Sequence, residues 1–170
     1  MTSATQSLTG ERADLLAMLT KHRHFLRHTA QNLTDEQAGL TPTASALSIG
    51  GLIKHVTAVE YGWQRFAVDG AAGMNAAAGS PEDWADGFRM TESETLAGLL
   101  DRYAEVAAGT DELAALDLDE SYPLPAAPWF EPGASWSIRR VLMHVVAETA
   151  QHAGHADIIR ETLDGQKSMG

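Results

Sequence analysis

The sequence predicts an all-α protein built as a four-helix bundle, and three observations carry that expectation. All six prolines, Pro42, Pro81, Pro123, Pro125, Pro128 and Pro132, fall outside four long segments, and proline is excluded from helix interiors because it lacks an N–H and clashes with the preceding turn. Within each segment apolar residues recur at three- and four-residue steps, the signature of one buried helix face. No stretch alternates apolar and polar residues with comparable strength, so no strand is predicted.

The first helix is expected over about 10–32, with Leu15, Met18, Leu19, His22, Phe25, Leu26 and Thr29 along one stripe. The second spans about 48–69, with Ser48 as N-cap and a stripe of Ile49, Leu52, Ile53, Val56, Val59 and Trp63. The third, over 92–116, opens on Thr91-x-x-Glu94, a capping-box pattern, and carries Leu96, Leu99, Leu100, Tyr103, Val106 and Leu113. Gly109 counts against helix near the end of this segment, since glycine in a helix interior costs roughly 0.5–1 kcal/mol relative to alanine. The fourth runs over 137–163, with Ile138, Val141, Leu142, Val145, Ile159 and Leu163 on its core side. Segments 34–47, 70–80 and 117–135 are loop-like and long for a bundle, which suits four helices joined with two long crossovers and leaves room for short helical turns in the loops. A chain of this size suits one bundle domain over 1–170.

Composition narrows the function. Twelve Lys plus Arg against 23 Asp plus Glu leave a net charge of −11, which repels a phosphate backbone and an anionic membrane surface. The Arg139-Arg140 pair is too small a basic cluster to reverse that field, so no nucleic-acid partner is expected. No cysteine is present, which removes disulfides, thiolate ligands and a thiol nucleophile of the chain's own. No apolar run approaches the roughly 20 residues needed to span a bilayer, and the N-terminus lacks a signal pattern, so a cytoplasmic location is expected.

Chemistry must then come from histidines and carboxylates. His144, Glu148, His152 and His155 follow one another at steps of four, four and three, which places them on one side of the fourth helix beside its apolar stripe. Glu148 and His152 can present an oxygen and a nitrogen to one ion. A third ligand must come from another helix, and His55 occupies the matching flank of the second. A site of three protein ligands leaves a position open for water or substrate. The competing account is a solvated helix face that happens to carry Glu and His. His22 falls on the core stripe of the first helix, whereas His24 and His28 lie on its polar side. Trp63, Trp129, Phe130 and Trp136 are core or loop anchors, with Trp136 also placed to line a pocket mouth; Glu60 is expected to be a surface charge. Gly154 either leaves room beside the ligands or permits close helix packing.

An internal echo links the second and fourth helices. Ser48-Ile49-x-x-Leu52-Ile53-x-His55-Val56-x-Ala58 recurs as Ser137-Ile138-x-x-Val141-Leu142-x-His144-Val145-x-Ala147. Either two helices start alike by coincidence, or the chain contains two similar helical hairpins.

Leu52-Ile53-Lys54-His55-Val56, followed about ninety residues later by His144-x-x-x-Glu148-x-x-x-His152-x-Gly154-His155-Ala156-Asp157, resembles the DinB-like superfamily, in particular its actinobacterial branch. Leu33-Thr34-Asp35-Glu36-Gln37-Ala38 after the first helix extends the resemblance to nearly the whole chain. It implies a DinB-like bundle with up-down-down-up topology and two long crossovers. It further implies a divalent metal, zinc or nickel, held by His55, Glu148 and His152. Many relatives have His where this chain has Glu148, and Glu there resembles the mycothiol-dependent maleylpyruvate isomerase branch, which carries an additional C-terminal domain. The activity implied is metal-assisted transfer of a low-molecular-weight thiol, mycothiol or bacillithiol, to an electrophilic small molecule in a stress or detoxification role. His144 and His155 would then support or accept a proton, and the protein would work alone or as a homodimer. A metal-dependent hydrolase or isomerase, and a bundle that binds metal or ligand without catalysis, are the other readings.

Overall fold

The computed structural model describes residues 8–80 and 86–168; 1–7 and Pro81 lie outside that description. Four long helices dominate: α1 (Glu11–Thr29), α3 (Ile49–Ala77), α4 (Leu96–Glu112) and α5 (Ile138–Asp164), with a short α2 (Asp35–Gly39) after α1. The all-α bundle expected from the sequence is therefore present. α5 packs between α1 and α3, and α4 covers the other side of α3. Among the described residues no helix is long and apolar enough to cross a membrane.

Helix starts follow local side-chain chemistry. The Ser48 and Ser137 hydroxyls accept the Gly51 and Arg140 backbone N–H groups at 3.1 and 3.2 Å, so both halves of the echo begin with the same cap. Thr34 and Gln37 form a reciprocal capping box that nucleates α2. The box expected at Thr91 is displaced. Glu94 does accept the Thr91 N–H at 2.7 Å, but it is also held by Lys54 at 3.0 Å, and it closes a turn ahead of the helix. Thr95 provides the actual cap, accepting the Gly98 N–H at 3.1 Å, so α4 starts at Leu96 rather than near Glu92.

Two further expectations are corrected. Helix two does not stop at Asp69: Gly70 adopts φ 63°, ψ −153°, a conformation open to glycine, and helix resumes to Ala77. Segment 117–135 is not all loop, because Ser121–Pro123 (β1) pairs antiparallel with Ser135–Ser137 (β2), setting Tyr122 opposite Trp136. Strands of three residues are too short for a period-two pattern to register. α4 runs on through Gly109 to Glu112, and a Cβ on that glycine would meet Gln64 Nε2, the end of a flexible side chain, at 1.9 Å.

The core has two apolar clusters, one around Leu26, Leu52, Ile53, Val56, Tyr103 and Ile159, the other around Leu19, Trp63, Phe66, Val141, Leu142 and Val145. Along α1, α3 and α5 a buried polar residue separates the two: Arg23 between Leu19 and Leu26, Glu60 between Val56 and Trp63, Thr149 between Val145 and Ala153. Glu60 is therefore no surface charge. It is 0% exposed and paired with Arg23, which also donates to Asp111 at 2.7 Å. Burial pushes the Glu60 carboxyl up from the ordinary carboxylate range, and the Arg23 guanidinium opposes that shift. His22 does not take the core position on α1; it is half-buried, and Arg23 beside it points inward. Met18, placed on the same stripe, is 44% exposed.

Candidate metal centre

α3 and α5 bring His55, Glu148 and His152 together, with one ligand atom from each lying within 4.8 Å of the others. His55 lies one residue from Val56 and His152 one from Ala153, so the apolar faces that lock the two helices also fix the distance between the imidazoles. The two rings meet edge to face at a centroid separation of 4.9 Å. His152 Nε2 faces Glu148 Oε2 at 3.4 Å, while its Nδ1 lies 3.3 Å from His155 Nδ1. His144 stands one turn before Glu148, with Nε2 3.8 Å from Oε1. The ring of His144 meets Trp63 and Trp136 edge-on at 4.9 and 5.2 Å. All four polar positions singled out on the fourth helix, together with His55, are thus neighbours. His24, by contrast, is exposed and His28 half-buried on α1.

The electrostatics suit ligands. Burial and the nearby His152 lower the His55 pKa to about 4, leaving it neutral and able to offer a lone pair at ordinary pH. Burial lowers His152 too, with His155 adding to the shift and Glu148 opposing it. His144 is likewise lowered by burial and by Arg140, against the pull of Glu148. Two neutral imidazoles and a carboxylate are a donor set that divalent zinc or nickel accepts, and three ligands leave a coordination position open.

Phe88 was not identifiable from the sequence as part of this site. Its ring stacks on His55 at 3.7 Å and meets His152 at 5.9 Å. The segment carrying it reaches α3 because Gly50 and Gly51 have no side chains: a Cβ on Gly51 would lie 1.9 Å from the Phe88 carbonyl oxygen, and one on Gly50 2.6 Å from Met90 Sδ. Lys54 pins the same segment through the Arg89 carbonyl at 3.3 Å. Two adjacent glycines in a helix start were the available signal of a close backbone approach. Gly51→Ala is therefore expected to expel the Phe88 segment and unstack His55, costing about 1–3 kcal/mol of stability. Urea denaturation of the metal-free protein measures that cost, and an unchanged midpoint would mean the segment does not pack there.

A family model described as Mycothiol-S-transferase matches residues 14–165, which takes in all five of these side chains. The chain belongs to this family. No curated protein matches it. A solved structure, a conserved protein of a locus from Enterococcus faecalis, is similar with a TM-score of 0.67 and 17% identity, over 94% of this chain and 100% of that one. At that identity the likeness shows the shared fold. Membership of the mycothiol-S-transferase family gives the cluster on α3 and α5 a chemical context, a thiol substrate, that the geometry of the ligands does not itself supply.

Proposed function

We propose that this protein is a divalent-metal-dependent transferase that joins a low-molecular-weight thiol, mycothiol first, to a small electrophile. The observation that carries the reading is the convergence of His55, Glu148 and His152 from two helices in a family named for thiol transfer. The absence of cysteine is consistent with a borrowed thiol. A bound zinc or nickel ion supplies an electrophilic position for sulfur, which favours loss of the thiol proton.

In the proposed reaction the S–H bond breaks, a carbon–sulfur bond forms at the electrophile, and a leaving group, such as halide, departs with the displaced electron pair. His144 is the proton acceptor: burial keeps it neutral, and Glu148 beside it stabilises the imidazolium. His155 is a positioning residue. Its Nδ1, 3.3 Å from Nδ1 of His152, is placed to accept a proton from that nitrogen when Nε2 serves as a ligand. Trp63 and Trp136, stacked at 4.5 Å, give His144 an apolar flank. We assign the protein to the cytoplasm and to detoxification of reactive small molecules, acting as one domain.

The test is conjugation of mycothiol to an activated aryl halide by metal-loaded protein. His155→Ala is expected to lower the rate about 10- to 100-fold, as loss of such an outer partner does, and Glu148→Ala more. No rate above the uncatalysed one with mycothiol, bacillithiol, glutathione or cysteine would contradict the proposal and favour a site that binds without turning over.

A further inference from the structure

The face of α5 turned away from α1 and α3 is largely apolar, and among the described residues nothing covers it. Met143 is 57% exposed and Ile158 59% exposed, and between them the same face carries Ala147, Ala150 and Gly154 together with the exposed Gln151. A Cβ on Gly154 would meet nothing within 4 Å among the described residues. The face continues into a groove against α1 lined by Leu15, Met18 and Val146. Large exposed apolar side chains flanking small ones are costly to leave in water and suit the approach of another helix.

The order of residues along this face says which helix. Reversed about a point midway between Ala150 and Gln151, the sequence sets Met143 against Ile158 and Ala147 against Gly154, and it sets Arg140 against Glu161. Two copies of α5 crossing antiparallel on a two-fold axis at that point would bring large beside large at the ends, Ala147 beside Gly154 nearer the middle, and Ala150 beside Gln151 at the axis. Each end would also gain an Arg140–Glu161 ion pair. This is the self-complementarity that an isologous dimer requires, in which one patch serves both partners. Both charges are on exposed residues: Arg140 stacks on the Trp136 ring at 4.5 Å, and Glu161 has a loose contact with Lys167 at 3.7 Å. A chain of net charge −11 has little other means of attracting a copy of itself, so the two opposite charges at each end also select the antiparallel register.

We infer that this face of α5 is a homodimer interface, with a two-fold axis between Ala150 and Gln151. The Arg140–Glu161 contact would lie near His144, because Arg140 stacks on Trp136 and Trp136 touches His144. The inference rests on the face alone and stands whether or not the centre transfers thiols.

Sedimentation velocity over a range of concentrations is the test, the monomer weighing 18.2 kDa. The mass is expected to rise toward twice that value. Gly154→Arg is expected to weaken the dimer at least tenfold while leaving the monomer folded, since the added side chain enters open space. Arg140→Glu or Glu161→Arg alone should weaken it, and the two together should restore it. Because the chain has no cysteine, Ala150→Cys gives a clean probe: a short bis-maleimide should join two copies, whereas exposed Ala104→Cys on α4 should not be joined. A monomer at every concentration up to millimolar would overturn the inference. So would a dimer indifferent to Gly154→Arg and to the charge exchange.

Discussion

Arg23→Ala is expected to lower the stability of the fold by about 3–5 kcal/mol, because it strands the buried Glu60 carboxylate without its partner. That is a large share of the roughly 5–15 kcal/mol by which domains are stable. The pH dependence of the variant identifies the cause. With Arg23 gone, burial, aided by Asp111 and opposed by the Thr110 hydroxyl, holds the folded pKa of Glu60 above the unfolded value. The folded state then binds the proton more tightly, so stability rises as pH falls from neutrality through the folded pKa toward the unfolded one. Urea denaturation at pH 7 and pH 5 should show the deficit shrinking at the lower pH, whereas a mere cavity would give the same deficit at both. Replacing the pair together, Arg23→Met with Glu60→Leu, should cost much less than Arg23→Ala, because no buried charge is left unmatched.

The same pair marks where reading the sequence stopped. Helices, caps and the chain of polar residues on α5 were legible because each depends on near neighbours: Ser48 and Ser137 cap residues three positions on, and Glu148 and His152 lie one turn apart. Glu60 and Arg23 sit on different helices 37 positions apart, and a carboxylate at that point of α3 looks like any solvated charge until α1 is packed against it. Phe88 was hidden for a related reason, lying in a segment without periodicity and placed by Lys54, Gly50 and Gly51 of another element. The β1–β2 pairing is held by partners such as Tyr122 and Trp136, with too few residues in either strand to show a pattern. His55 was legible only in part: its flank on α3 could be assigned, but its distance from His152 depends on how α3 and α5 pack.

The second large effect concerns the metal. His152→Ala removes the proposed ligand at the centre of the cluster, the one that faces Glu148 through Nε2, meets the ring of His55 and contacts His155 through Nδ1. Glu148 and His55 alone, on separate helices, hold an ion weakly, and affinity is expected to fall by well over the roughly 10–100-fold that follows loss of an outer partner. The fold should survive, because the apolar clusters are built from residues other than the ligands. Helical circular dichroism should therefore be the same for the variant, the metal-loaded protein and the chelated protein.

The most direct measurement is elemental analysis of protein prepared without an affinity tag and dialysed against limiting zinc or nickel. One ion per chain in the natural sequence, lost in His152→Ala with the helical signal intact, is the predicted result. No bound ion in the natural sequence, or full stoichiometry retained in His152→Ala, would contradict the metal centre assigned to His55, Glu148 and His152.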